Sequence, residues 1–219
     1  QEMVNRYVDG ESVPDRQLER VWQDTTVVHG VWDVPVYAEF FRAVRTANAV
    51  SKGRKLRVLL GDPPVDWAEV DAQQLRQWQR ARDAHAADLI EREVIRRGRR
   101  ALIVYGFWHL RRTDESGSAY SPAAASAPLV PLIEQRTGVR VFSIATVIGL
   151  ELVYHGAASW PIPAIAPVRG TALGRKPFNV AGRATGALED IFDAVLYVGP
   201  ESGLTWSRLP LSLLRDTSY

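Results

Sequence analysis

Four histidines, with arginines and carboxylates spaced around them, carry what chemistry this chain offers, because it has no cysteine. That absence excludes thiolate nucleophiles, thiolate metal sites and disulfides. The densest grouping lies between residues 78 and 112, WQRARDAHAADLIEREVIRRGRRALIVYGFWHLRR. The apolar run Ala101-Leu102-Ile103-Val104-Tyr105 ends at Gly106, and His109, Arg111 and Arg112 follow at once. In open α/β sheets, ligands bind beyond the carboxyl ends of the strands. His109 therefore stands where such a fold places an acid, a base or a ligand. Upstream, Arg82 and His85 share one helix face, and Asp83 lies on the adjacent one. The planar fork of Arg82 suits an anionic or carbonyl oxygen. Asp62 follows the run Leu56–Leu60 after one glycine, Gly61, and can orient a histidine or act as a base.

Each of these residues has a plainer reading. His85 also fits a structural imidazole, His109 an exposed loop residue, and Arg82-Asp83 a solvated helix face. Asp62, before Pro63-Pro64, also fits a turn. His29 lies in a strand-like connection with Trp32 and Asp33, and His155 reads as loop. A divalent metal on His85, His109, Asp62 and Asp83 would have nitrogen and oxygen ligands, but no recognised ligand spacing accompanies them. The nucleophile elbow, the phosphate-binding glycine loops and the HExxH zinc motif are all missing from the sequence.

The elements that must position these groups alternate. Helices are expected at Glu2–Val8, Asp15–Gln23 and Val36–Asn48, the last with Phe40, Phe41, Val44 and Ala47 inward. A long helix is expected over about Trp67 to Arg97, stopped at Gly98, and a short one over Pro128–Thr137, stopped at Gly138. Strands are expected at 56–60, 101–105, 139–147 and 194–198. The strand at 101–105 reads as covered on both sides. Residues 113–128 read as a surface loop, 149–186 as an irregular cap with a hairpin, and Leu204–Asp216 as a terminal helix. The expectation is one α/β domain over 1–219, a mostly parallel central sheet flanked by helices. Four strands are few for this length, and the chain opens as if in mid-helix, so an N-terminally incomplete domain is expected.

Composition bounds the partners. Hydrophobic residues make up 46% of the 219, enough for a sizeable core. The net charge is only +2, and no nucleic-acid motif accompanies the arginine clusters, so nucleic acid is not an expected partner. No stretch reaches the roughly 18 uncharged apolar residues of a membrane span. A small-molecule substrate or ligand is the expected partner. Extracytoplasmic placement would follow if an upstream signal had been removed.

Several of these stretches together resemble the erythromycin esterase-like family, within the superfamily of the haem-binding ChaN proteins and the Tiki/TraB proteases. The residues are Val31-Trp32-Asp33, the helix end Arg45-Thr46-Ala47-Asn48, and Leu56-Arg57-Val58-Leu59-Leu60-Gly61-Asp62. After them come Arg82-Asp83-Ala84-His85-Ala86-Ala87, the run Ala101–His109, and Asp193-Ala194-Val195-Leu196-Tyr197. The resemblance implies an esterase-like hydrolase using histidine and carboxylates to activate water, with His109, Arg82, Asp83 and Asp62 in the cleft. His85, Trp32, Tyr105 and Trp108 are the expected ligand contacts. Two alternatives accompany it: a haem or apolar-ligand binder of the ChaN type without catalysis, and a metal-dependent Tiki-like protease. No cofactor is required by the first reading. Phe107-Trp108 depart from the small or polar residues that precede the matching histidine in that family, which sets macrolide hydrolysis apart from the other expectations.

Overall fold

A computed structural model describes residues 1–23, 34–113, 127–150, 154–180, 183–205 and 207–208, without the side chains of 179–185. The chain gathers into two compact units, one built on Gln1–Arg82 and the other on Asp83–Thr205. The class is α/β: helices and a small mixed sheet.

The first unit is a set of helices around one apolar cluster. Helix α1 (Glu2–Val8) buries Val4 and Val8, four residues apart on one face. Gly10, at φ +109°, turns the chain after it. Helix α2 (Asp15–Gln23) begins just after Pro14 and contributes Leu18 and Trp22. Helix α3 (Pro35–Val50) opens on a proline, whose missing N–H costs nothing in a first turn. Its buried stripe is Phe41, Val44 and Asn48. Phe40 and Ala47 were expected inward but are exposed. A step of 100° per residue carries both off the stripe that Phe41 and Val44 define. Trp22 stacks on Phe41 with ring centroids 5.7 Å apart.

Residues 56–60 are not a strand, contrary to expectation. Side-chain amides satisfy their backbone instead. Asn48 Nδ2 donates to the carbonyls of Val8 and Leu56, while the Leu56 N–H donates to Asn48 Oδ1. Gln1 does the same further along, donating Nε2 to Val58 O and accepting from the Leu60 N–H. Arg45 closes the end of α1, donating to the carbonyls of Tyr7, Gly10 and Glu11 with its guanidinium over the Tyr7 ring.

Helix α4 (Ala72–Ile90) begins in the first unit and ends in the second. It is preceded by a turn at 67–69, and continues as one wider π turn, Glu91–Ile95. Gly98, at φ +57°, then ends it as expected. In the second unit, Ala86 and Ala87 are buried against Leu129 and Ile133 of α5 (Leu129–Thr137). Small side chains on one helix leave room for large ones on the other. Gly138, at φ +68°, closes α5.

The sheet differs from the expected one. β1 (Ile144–Val147) pairs in parallel with β5 (Ala194–Tyr197), and β2 (Ala164–Pro167) pairs with β5 antiparallel, giving the order β1-β5-β2. Only β5 matches its expected strand closely. Its position between two neighbours accounts for the burial of Ala194, Val195 and Tyr197. The expected strand at 139–147 is confined to β1. Ahead of it, Val141 gives its N–H to Glu134 Oε1 and its carbonyl receives Arg112. β2 belongs to the central sheet rather than to a cap. β3 (Pro177–Val180) and β4 (Arg183–Ala187) form a separate hairpin, and the short α6 (Leu188–Ile191) leads into β5.

The run 101–105 is the largest departure. It joins no strand pairing, and Leu102 and Val104 are 85% and 75% exposed. Ile103 and Tyr105 instead pack on the cluster of Ala86, Ala87, Leu129 and Ile133. Side chains of an extended chain alternate between faces, so one-sided burial hides only every second residue. At the chain's end, Glu201–Gly203 form a short turn and Leu204 and Thr205 are not helical. The rest of the expected terminal helix lies outside the described residues.

Candidate active site

The element that presents His109 is the tight turn Phe107–His109. Gly106 opens it at φ −57°, ψ 140°, and its carbonyl accepts the His109 N–H at 2.9 Å. Phe107 anchors the turn, its ring 5.3 Å from those of both Phe178 and Phe192 in the sheet-side core. The next two residues then part: Trp108 faces outward and His109 turns back. Trp108 is half-exposed beneath the Arg111 guanidinium, which lies 4.6 Å from its ring centre. His109 folds back so that Nδ1 lies 2.6 Å from Asp83 Oδ1. The Tyr105 ring meets the imidazole edge-on at 4.8 Å.

Asp83 is held by α4, and both partners are largely shielded, with side-chain exposures of 26% for His109 and 18% for Asp83. A short contact to a carboxylate is strongest when the ring nitrogen is the donor. When the ring is neutral, its proton therefore sits on Nδ1, and Nε2 carries the lone pair. An imidazole so oriented can take a proton from water or a hydroxyl, or ligate a metal.

In the first unit, Arg82 Nε donates to Asp62 Oδ1 at 2.9 Å, and each side chain is 16% exposed. The residues expected at one hollow thus form two pairs, Asp62 with Arg82 and Asp83 with His109. Consecutive residues on a helix point in different directions, which suits the separate partners of Arg82 and Asp83.

His85 is half-buried on α4. His155 opens a short helical turn, His155–Ser159, rather than a loop, and is exposed. Trp32, with His29 and Asp33, lies outside the described residues. Among the described residues, no group of three or more histidines and carboxylates is arranged to hold a metal ion. No helix of the described residues is long and apolar enough to cross a membrane.

One charged cluster escaped the sequence reading. Arg112 Nη2 donates to Asp193 Oδ2 at 2.6 Å and also to the Val141 carbonyl, and Arg112 Nε reaches Glu134. Arg140 and the Ser143 N–H complete the shell of Asp193. Burial pushes the Asp193 carboxyl upward, but the Ser143 N–H and the two guanidinia outweigh it and hold the group below its ordinary value. The partners are up to 81 residues apart, and no local spacing announces them. The cluster ties the entry of β5 to α5 and to the chain ahead of β1.

No family model, curated protein or solved structure matches this chain.

Proposed function

We propose that the chain is an esterase-like hydrolase domain in which His109, oriented by Asp83, activates water. The observation that carries this reading is the 2.6 Å contact between Asp83 Oδ1 and His109 Nδ1. It leaves Nε2 as the proton acceptor and supplies a carboxylate to stabilise the imidazolium that forms. Water would lose a proton to Nε2 as its oxygen bonds to the ester carbonyl carbon. The tetrahedral intermediate would then expel the alkoxide, which takes that proton back from Nε2. A positioned base of this kind contributes about 10²- to 10⁴-fold in rate. The resemblance to the erythromycin esterase-like family supports the same reaction class.

Measurement of turnover on a panel of small esters tests this reading. The parent is expected to be active and His109→Ala to lose at least a hundredfold, by the same estimate. Equal turnover in the two proteins would end the proposal.

A second reading is supported by the aromatic setting of the same histidine. Tyr105 lies against the ring and half-exposed Trp108 is adjacent in sequence. An apolar planar ligand such as haem would find an imidazole and flat apolar surface there. Haem titration distinguishes the readings: a Soret band present in the parent and lost in His109→Ala favours the binder.

A further inference from the structure

We infer that Gly106 is a positioning residue for the His109 imidazole, and that a side chain there would uncouple the ring from Asp83. A Cβ built on Gly106 would lie 3.2 Å from His109 Cδ2 and 3.8 Å from Nε2. The first distance is closer than a relaxed carbon–carbon contact of roughly 3.5–4.0 Å. The ring has little freedom to give way. Asp83 holds its Nδ1 at 2.6 Å, and the Tyr105 ring stands against it with centroids 4.8 Å apart. The turn itself is closed by the bond from the His109 N–H to the Gly106 carbonyl. The glycine is therefore required for space beside the ring. It is not required for an unusual backbone, since φ −57° and ψ 140° are open to alanine. This separates Gly106 from Gly98 and Gly138, whose positive φ values serve helix ends and whose Cβ positions meet nothing within 4 Å.

The consequence is a tautomer held in place. With the ring seated over Gly106, Nδ1 keeps its proton and donates it to Asp83, and the Nε2 lone pair keeps a fixed direction. The inference holds whether that lone pair takes a proton from water or binds a ligand, so it stands apart from the hydrolase reading. Its test does not depend on activity. Long-range ¹⁵N–¹H spectra of the imidazole in the parent are expected to show the Nδ1–H tautomer, with a strong Overhauser contact between Gly106 Hα and His109 Hδ2. In Gly106→Ala the same spectra are expected to show mixed tautomers, with unchanged far-ultraviolet circular dichroism. A folded Gly106→Ala that keeps the parent's tautomer overturns the inference. Should that variant not fold, a missing Gly106–His109 Overhauser contact in the parent overturns it equally, and a strong one upholds the seating.

Discussion

Asp83 and His109 are 26 residues apart in the chain, and their side chains meet at 2.6 Å. The helix carries one partner and a turn anchored by Phe107 carries the other. If the histidine is a base, the carboxylate acts through it, by fixing the tautomer and stabilising the imidazolium. Asp83→Asn retains the shape, but its amide can present an N–H to Nδ1 and favour the opposite tautomer. Steady-state kinetics on an ester that the parent hydrolyses are expected to show kcat reduced about 10²-fold or more, with KM little changed. A rise in KM at constant kcat would instead make Asp83 a binding residue.

Asp193 is expected to make the second unit sensitive to acid. Burial alone would raise its carboxyl pKa, but the Ser143 N–H, Arg112 and Arg140 together lower it below the ordinary 3.8. The unfolded chain therefore binds this proton more readily, and stability rises with pH across that window. The contribution is fully present above the ordinary value and is lost as pH falls through the depressed one. Urea unfolding from pH 6 down to pH 2 is expected to show a steeper loss in the parent than in Asp193→Asn. Parallel curves would place the acid sensitivity elsewhere.

Arg112 is the hub of that cluster, and its side chain is 11% exposed. Arg112→Ala leaves Asp193 and Glu134, among the described cations, to the more exposed Arg140, beside the Ser143 and Val141 N–H groups. Breaking a buried pair from one side costs about 3–5 kcal/mol. The expected result is a loss near the lower figure in chemical denaturation, and a change under 1 kcal/mol would show that Arg140 suffices.

Asn48 acts in place of a neighbouring strand for Leu56, donating to its carbonyl and accepting its N–H while also donating to Val8. Asn48→Ala leaves these groups unsatisfied, at about 1–3 kcal/mol. Asn48→Asp is expected to cost at least as much at neutral pH, because a carboxylate cannot donate to two carbonyls. An Asp variant as stable as the parent in urea would mean that water takes over these bonds.

Neighbouring residues in the run 101–105 are expected to respond oppositely. Leu102→Lys alters a side chain that is 85% exposed, so its cost is about 0.5 kcal/mol or less. Ile103 packs on the cluster of Ala87 and Leu129, and Ile103→Ala is expected to cost about 1–2 kcal/mol. Comparable costs at the two positions in denaturant titrations would restore a strand covered on both faces.

Much of the local structure was legible in the chain. Pro35 and Gly98 mark the ends of helices as proline and glycine do anywhere, through a fixed φ and a permitted positive one. The turn Asp9–Ser12, Pro14 and Gly138 bounded α1, α2 and α5, and the turn after 101–105 put His109 at the end of an extended run. Those signals are local, because sterics and backbone hydrogen bonding act between residues a few positions apart. Tertiary structure decided the rest. Whether Leu56–Leu60 and Ala101–Tyr105 became strands depended on backbone partners that an apolar run does not specify. In the first case the amides of Asn48 and Gln1 took that role, and in the second one face found a helical layer. The carboxylate that orients His109, and the two charged partners of Arg112, were likewise chosen by distance in space, which Coulombic attraction and hydrogen bonding obey and sequence spacing does not.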